Sequence, residues 1–170
     1  DLNSWWFDID LSNPTIIFIH GLTSSKNSPD ILLPMGILNK NEFNLLAIDI
    51  RDHGKSTCED GFYAAGQNET DDVVAAIDWL KSKGVKSSNI GIYGSSLGAL
   101  IALMTPAKSN DFGSIAVMDP PVDFKTLVRE EMAYQGLPTF LWEPIYHYAG
   151  MFKGINMLKD IPEEALAKGN

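Results

Sequence analysis

The stretch that decides the fold runs Asn89-Ile90-Gly91-Ile92-Tyr93-Gly94-Ser95-Ser96-Leu97-Gly98-Ala99-Leu100-Ile101-Ala102-Leu103-Met104. Ile90 and Ile92 alternate as in a buried strand, whereas Leu97, Leu100, Ile101 and Met104 recur at helical spacing. Between the two periods lies Gly94-Ser95-Ser96-Leu97-Gly98, a G-x-S-x-G pattern. Alone the pattern is weak; directly flanked by a strand and a helix, it describes a sharp turn that lifts one side chain off the tip of the strand. Such a turn forces strained backbone angles at its apex, and Cβ atoms two residues to either side would collide across the bend. Gly94 and Gly98 remove both. Ser96 is then expected to stand clear of the sheet at a helix N-terminus, with the Leu97 N–H facing any oxyanion formed on an attacked carbonyl.

Upstream, Thr15 to Ile19 is a nearly continuous β-branched run, as in a strand covered on both faces of a parallel sheet. It ends in the polar loop His20-Gly21-Leu22-Thr23-Ser24-Ser25, at the end of the strand where open α/β sheets hold their ligands. Pro29 to Leu38 reads as a short apolar helix, expected to break or bend at Pro34. Phe43 to Ile50 is the next strand, followed by Arg51-Asp52-His53-Gly54-Lys55-Ser56. After an aperiodic loop, Thr70 is expected to cap a helix carrying Asp71 and Asp72 in its first turn and Val73, Ile77 and Leu80 on one face. Downstream, Ser114 to Met118 forms another apolar strand ending in Asp119-Pro120-Pro121. Asp1 to Leu11, with Trp5, Trp6, Phe7 and then alternating Asp8, Ile9, Asp10 and Leu11, suits an edge strand before the turn at Ser12-Asn13-Pro14. From Val122 onward the pattern is helical and rich in aromatics, including Phe124, Tyr134, Phe140, Trp142, Tyr146, Tyr148 and Phe152. This alternation predicts an α/β fold, a doubly wound, mostly parallel sheet over 1–121, with 122–170 as an incomplete helical cap or lid.

Composition narrows the function classes. A chain of 170 residues suits one domain, and 45% hydrophobic with 21% charged residues is ordinary for a globular protein. Thirteen Lys and Arg against 22 Asp and Glu give a net charge of −9, which argues against nucleic acid or an anionic membrane surface as partner. Cys58 is the one cysteine, so no internal disulfide is possible, and a reducing, cytoplasmic location is the simpler expectation. Neither a membrane span nor a secretory leader is apparent. Three scattered histidines and one cysteine make no metal-ligand spacing, and no G-x-G-x-x-G follows the first core strand, so no metal or cofactor is expected.

His20-Gly21 after the first core strand, Asp49-x-Arg51-x-His53-Gly54-x-Ser56 after the second and Gly94-x-Ser96-x-Gly98 after the third resemble the α/β-hydrolase superfamily. The helix from Asp72 to Leu80 and Gly136-Leu137-Pro138 are similar to its prolyl-oligopeptidase-like and esterase-like branch. The resemblance spans about Thr15 to Ile161 and implies a serine hydrolase cleaving a carboxylic ester, thioester or amide through an acyl-enzyme. It makes Ser96 the nucleophile and the backbone N–H groups of Leu22 and Leu97 the oxyanion hole. His20 becomes a structural residue beside the hole, and His53 a turn-stabilising one.

The chain departs from that pattern where the acid and base belong. In the superfamily they follow later strands, and a serine hydroxyl without a base is a poor nucleophile. An internal order Ser96, Asp119, His147 is available, but His147 lies in the aromatic helical segment. The preferred expectation places acid and base on sequence outside this chain. A sheet ending at Ser114 to Met118 would leave an apolar edge, so self-association or pairing with a missing C-terminal part is expected. The alternatives are an acyltransferase and a non-catalytic hydrolase-like binding module.

Overall fold

All the apolar runs read as strands pair into one sheet in the computed structural model, which describes residues 1–59, 61, 66–121, 123–153 and 162. The strands are β1 (Ser4–Phe7), β2 (Thr15–Ile19), β3 (Asn44–Ile48), β4 (Ile90–Ser95) and β5 (Ser114–Met118), in spatial order β1-β3-β2-β4-β5. β2 to β5 run parallel and β1 joins antiparallel to β3. The helices are α1 (Pro29–Asn39), α2 (Glu69–Ser82), α3 (Leu97–Met104), α4 (Phe124–Tyr134) and α5 (Trp142–Lys153).

Two-residue alternation along the strands divides the core between two faces. Ile17, Ile19, Leu46, Ile48, Ile90 and Ile92 point to the side covered by α2 and α3, where Val73, Ile77, Leu80, Leu100 and Ile101 meet them. Phe18, Leu45 and Ala47 point the other way and are covered by Ile31 and Met35 of α1. Helices on both faces explain why β2 and β3 read as unbroken apolar runs. β5 is different: Ile115 is half-buried, while Val117 and Met118 are exposed at the open edge.

Three local expectations are corrected. Pro34 neither breaks nor ends α1, which continues through it to Asn39. A proline here leaves the carbonyl four residues back without its amide donor. That carbonyl belongs to Asp30, and the Tyr93 hydroxyl donates to it at 3.3 Å. The strand in the first eleven residues is the aromatic part, Ser4–Phe7, and not the alternating part after it. Asn44 captures the alternating segment, its Oδ1 accepting from the Ile9 N–H at 2.9 Å and its Nδ2 donating to the Asp10 carbonyl at 2.7 Å. Asp10 then closes a turn by accepting from the Ser12 N–H at 2.8 Å. Finally, α2 begins at Glu69 with Asn68 at its cap, and Thr70 lies inside, donating to the Gly66 carbonyl at 2.5 Å.

Asp72 has a larger role than a first-turn acid. Its carboxylate accepts from Arg51 Nε at 3.0 Å, Arg51 Nη2 at 2.7 Å and the Arg51 N–H at 2.8 Å, which pins the loop after β3 to the start of α2. The Arg51 guanidinium is held above its ordinary range chiefly by that hydrogen bonding.

Of the expected cap, α4 and α5 are described, while 154–161 and 163–170 lie outside the described residues, as do the side chains of Phe124, Tyr146 and Phe152. α4 and α5 enclose one small apolar cluster, Met132 and Trp142 with Val128. No described helix is long and apolar enough to cross a membrane.

Candidate active site

Parallel strands bring their C-terminal ends to one edge, and the backbone is most contorted there. Thr23 follows β2 with φ 55°, Asp52 follows β3 with φ 60°, Ser96 follows β4 with φ 51° and Asp119 follows β5 with φ 53°. Left-handed φ at a residue with a Cβ costs energy and persists only where the surroundings enforce it.

At Ser96 the enforcement is visible. With φ 51° and ψ −115° it stands between β4 and α3, and its side chain is exposed. Its N–H donates to the Met118 carbonyl of β5 at 2.9 Å, and its carbonyl accepts from Ala99 and Leu100 at 2.9 and 3.1 Å. The backbone is thereby held at both sides while the hydroxyl side faces out. A Cβ at Gly94 would sit 2.1 Å from the Gly98 carbonyl oxygen, the collision expected across the bend. Gly98 is confined by a different neighbour, since a Cβ there would meet the Ile19 carbonyl oxygen at 2.1 Å and the His20 oxygen at 2.8 Å. This second glycine therefore lets α3 approach the end of β2, which the motif alone does not reveal.

Leu97 occupies the first position of α3, where a backbone N–H has no acceptor within the helix. The other candidate donor, Leu22, follows Gly21, and Gly21 is placed directly against the serine: a Cβ on it would lie 3.3 Å from Ser96 Cβ and 3.8 Å from Ser96 Oγ.

His20 governs the peptide between them. The ring is fully buried, and its Nδ1 lies 2.8 Å from the Gly21 carbonyl oxygen, which can only accept, so Nδ1 carries the proton. The Ile50 N–H donates to Nε2 at 3.3 Å, which requires a lone pair there. Both partners thus select one neutral tautomer. Burial is the main cause that lowers the imidazole below its ordinary pKa, and His53, whose ring centre is 5.4 Å away, acts in the same direction. In a trans peptide the C=O and the following N–H point in opposite directions. With the Gly21 carbonyl turned to His20, the Leu22 N–H points away from the imidazole. His53 itself ties its loop together, its Nδ1 2.9 Å from the Arg51 carbonyl oxygen.

The internal acid and base are distributed unevenly. Because Ser95 is in register with Met118, Asp119 is brought to the position beside Ser96, and its side chain is exposed. His147 is exposed on α5. No three described His, Cys, Asp or Glu side chains are grouped as a metal site requires.

Two residues near this edge escape a reading of the sequence. Asp30, at the start of α1, meets β4, its carbonyl accepting from the Tyr93 hydroxyl at 3.3 Å. Burial pushes its carboxyl up, but the neighbouring Ser28 and Ser95 outweigh this and hold it below the usual carboxylate range. Lys26 closes the loop that begins at His20 and is almost wholly buried. A polar residue seven positions after a strand carries no periodic signal, and its burial arises only when loops from two strands fold together.

Known proteins share this architecture. The α/β-hydrolase fold family matches residues 14–143, and the chain belongs to that family. Over 125 residues it is 34% identical to the uncharacterized protein YqkD of Bacillus subtilis (strain 168), covering 71% of this chain and 38% of that protein. The Pyrococcus furiosus esterase Pf2001 superimposes with a TM-score of 0.69 at 32% identity, over 86% of this chain and 58% of the esterase. Est1E of Butyrivibrio proteoclasticus, solved with ferulic acid bound, aligns with a TM-score of 0.64 at 23% identity, over 76% of this chain and 53% of Est1E, and shares the fold. The chain thus spans between about two fifths and three fifths of the length of these relatives.

Proposed function

We propose that this chain carries the nucleophile and oxyanion hole of a serine hydrolase that cleaves a carboxylic ester, thioester or amide, an ester being favoured by the likeness to the Pyrococcus furiosus esterase. The observation that carries the reading is Ser96, an exposed hydroxyl on a backbone constrained to left-handed φ, at a helix N-terminus and against Gly21. Attack of Ser96 Oγ on the carbonyl carbon forms a tetrahedral adduct whose oxyanion accepts from the Leu97 and Leu22 N–H groups. Collapse expels the leaving group and leaves an acyl-Ser96 ester, which water then cleaves. The general base and its acid come from sequence beyond this chain, and their loss costs most of the rate. The exposed aromatics Tyr134 on α4, Phe140 in the turn before α5 and Tyr148 on α5 supply apolar surface for an acyl or leaving group.

The test is labelling of the full-length protein with a fluorophosphonate. Ser96 becomes phosphonylated and Ser96→Ala does not; a folded protein that resists labelling points instead to a non-catalytic binding module. Transfer of the acyl group to an added alcohol in preference to water identifies an acyltransferase.

The same reading covers assembly. Among the described residues β5 presents an unpaired edge with Val117 and Met118 exposed, and α1 exposes Leu33 and Ile37. Strands supplied by further sequence, or by a second copy, would pair along that edge. Residues 1–170 alone are expected to self-associate in light scattering, and a clean monomer counts against the assignment.

A further inference from the structure

The loop between β2 and α1 has two anchored ends. His20 fixes the near end, as described above. The far end is Lys26, which turns inward and is 3% exposed. Its ammonium donates to Asp49 Oδ2 at 2.5 Å and to Asn3 Oδ1 at 2.5 Å, with the Trp5 ring centre 5.2 Å away. Its backbone N–H donates to the other oxygen of the same carboxylate, Asp49 Oδ1, at 2.8 Å. One carboxylate therefore grips both the main chain and the side chain of Lys26.

Asp49 lies just beyond β3, is 1% exposed, and also accepts the Lys55 N–H at 2.9 Å. Gly54 closes over it so tightly that a Cβ there would fall 2.3 Å from the carboxylate. A single buried carboxylate thus joins the far end of the loop after β2 to the loop after β3, as His20 joins its near end. Removing two charges from water is costly, and an apolar pair of similar size would stabilise the fold equally well or better, so net stability alone does not explain such a pair. What the pair supplies is a fixed distance between two loops, one of which presents Leu22.

The geometry points to Lys26 as a positioning residue for acyl transfer: through Asp49 it holds the far end of the His20 to Lys26 loop, so that the Leu22 N–H stays where the oxyanion forms. This rests on Ser96 as nucleophile and Leu22 as donor. Lys26 touches no reacting atom, so its removal is expected to act on the rate of bond formation and not on binding of the reagent.

The test measures phosphonylation of the full-length protein by a fluorophosphonate, separating the maximal rate kinact from the half-saturating concentration KI. Lys26→Met keeps length and packing but removes the charge. It is expected to lower kinact by about 10- to 100-fold, less than the ~10²–10³-fold lost when one oxyanion donor is removed outright, while KI changes less than threefold. Ile77→Ala on α2 serves as a destabilised control remote from the loop, and its kinact should stay at the wild-type value while the protein remains folded. If Lys26→Met does not fold, Lys26→Met combined with Asp49→Asn avoids a buried unpaired carboxylate and should show the same fall. A folded Lys26 variant that labels at the wild-type rate overturns the positioning role while leaving Ser96 as nucleophile. A wild-type protein that does not label overturns the nucleophile reading, and this inference with it.

Discussion

The sheet and the α4–α5 segment use apolar residues in opposite ways. In the sheet, Ile17, Phe18 and Ile19 are wholly inaccessible, each enclosed by a neighbouring strand and a helix. Across α4, α5 and the turn between them, Tyr134 is 85% exposed, Phe140 78% and Met151 83%, around a cluster of three side chains. Equal hydrophobicity therefore does different work: in the first region it fixes backbone positions to fractions of an ångström, and in the second it offers surface. The strained turn at Ser96 can exist only on the first kind of support, because its cost must be covered by packing that cannot relax.

That contrast can be broken most severely at Gly98. Gly98→Ala forces a methyl into the Ile19 carbonyl and should cost about 4 kcal/mol or more, or prevent folding, in denaturant unfolding of the full-length protein. A loss below ~1 kcal/mol would refute the close approach of α3 to β2. Next, Ile77→Ala, from a fully buried position, should cost about 2–5 kcal/mol with an unchanged denaturant slope. Ser96→Gly relieves the left-handed strain and is expected to raise stability by about 1 kcal/mol while abolishing fluorophosphonate labelling.

A subtler probe is pH. His20 is depressed in the folded state, so the unfolded chain binds the proton first, and stability should fall as pH drops from about 6.5 toward the lower folded value. His20→Gln removes that group, and unfolding measured across this range should show a shallower decline. The smallest effect is expected at Phe140→Ala, within about 0.5 kcal/mol, since the side chain is already in water. A loss comparable to that of Ile77→Ala would show that the segment is built like the core.

Legibility followed the same division. Strands β2 to β5, helices α1 to α3 and the turn at Ser96 were all visible in the sequence, because burial imposes periodicity on side chains and the turn imposes glycines at fixed spacing. The edge-strand reading of Asp1 to Leu11 contains the observed strand Ser4–Phe7 but runs past it, since alternation at Asp8 to Leu11 mimics a strand while the Asn44 side chain claims those backbone groups. Pro34 misled for a related reason: its missing donor is compensated by Tyr93, nearly sixty residues downstream.

Fold class, the candidate nucleophile and the glycines around it are written in the chain alone, because these depend on neighbours a few positions apart. That Gly98 answers to β2, that His20 is held in one tautomer and orients the Gly21–Leu22 peptide, and that Lys26 and Asp49 join two loops emerges only once the chain is folded. Those interactions link residues brought together by parallel pairing of distant strands, and no local pattern records a contact whose partners are set by the sheet.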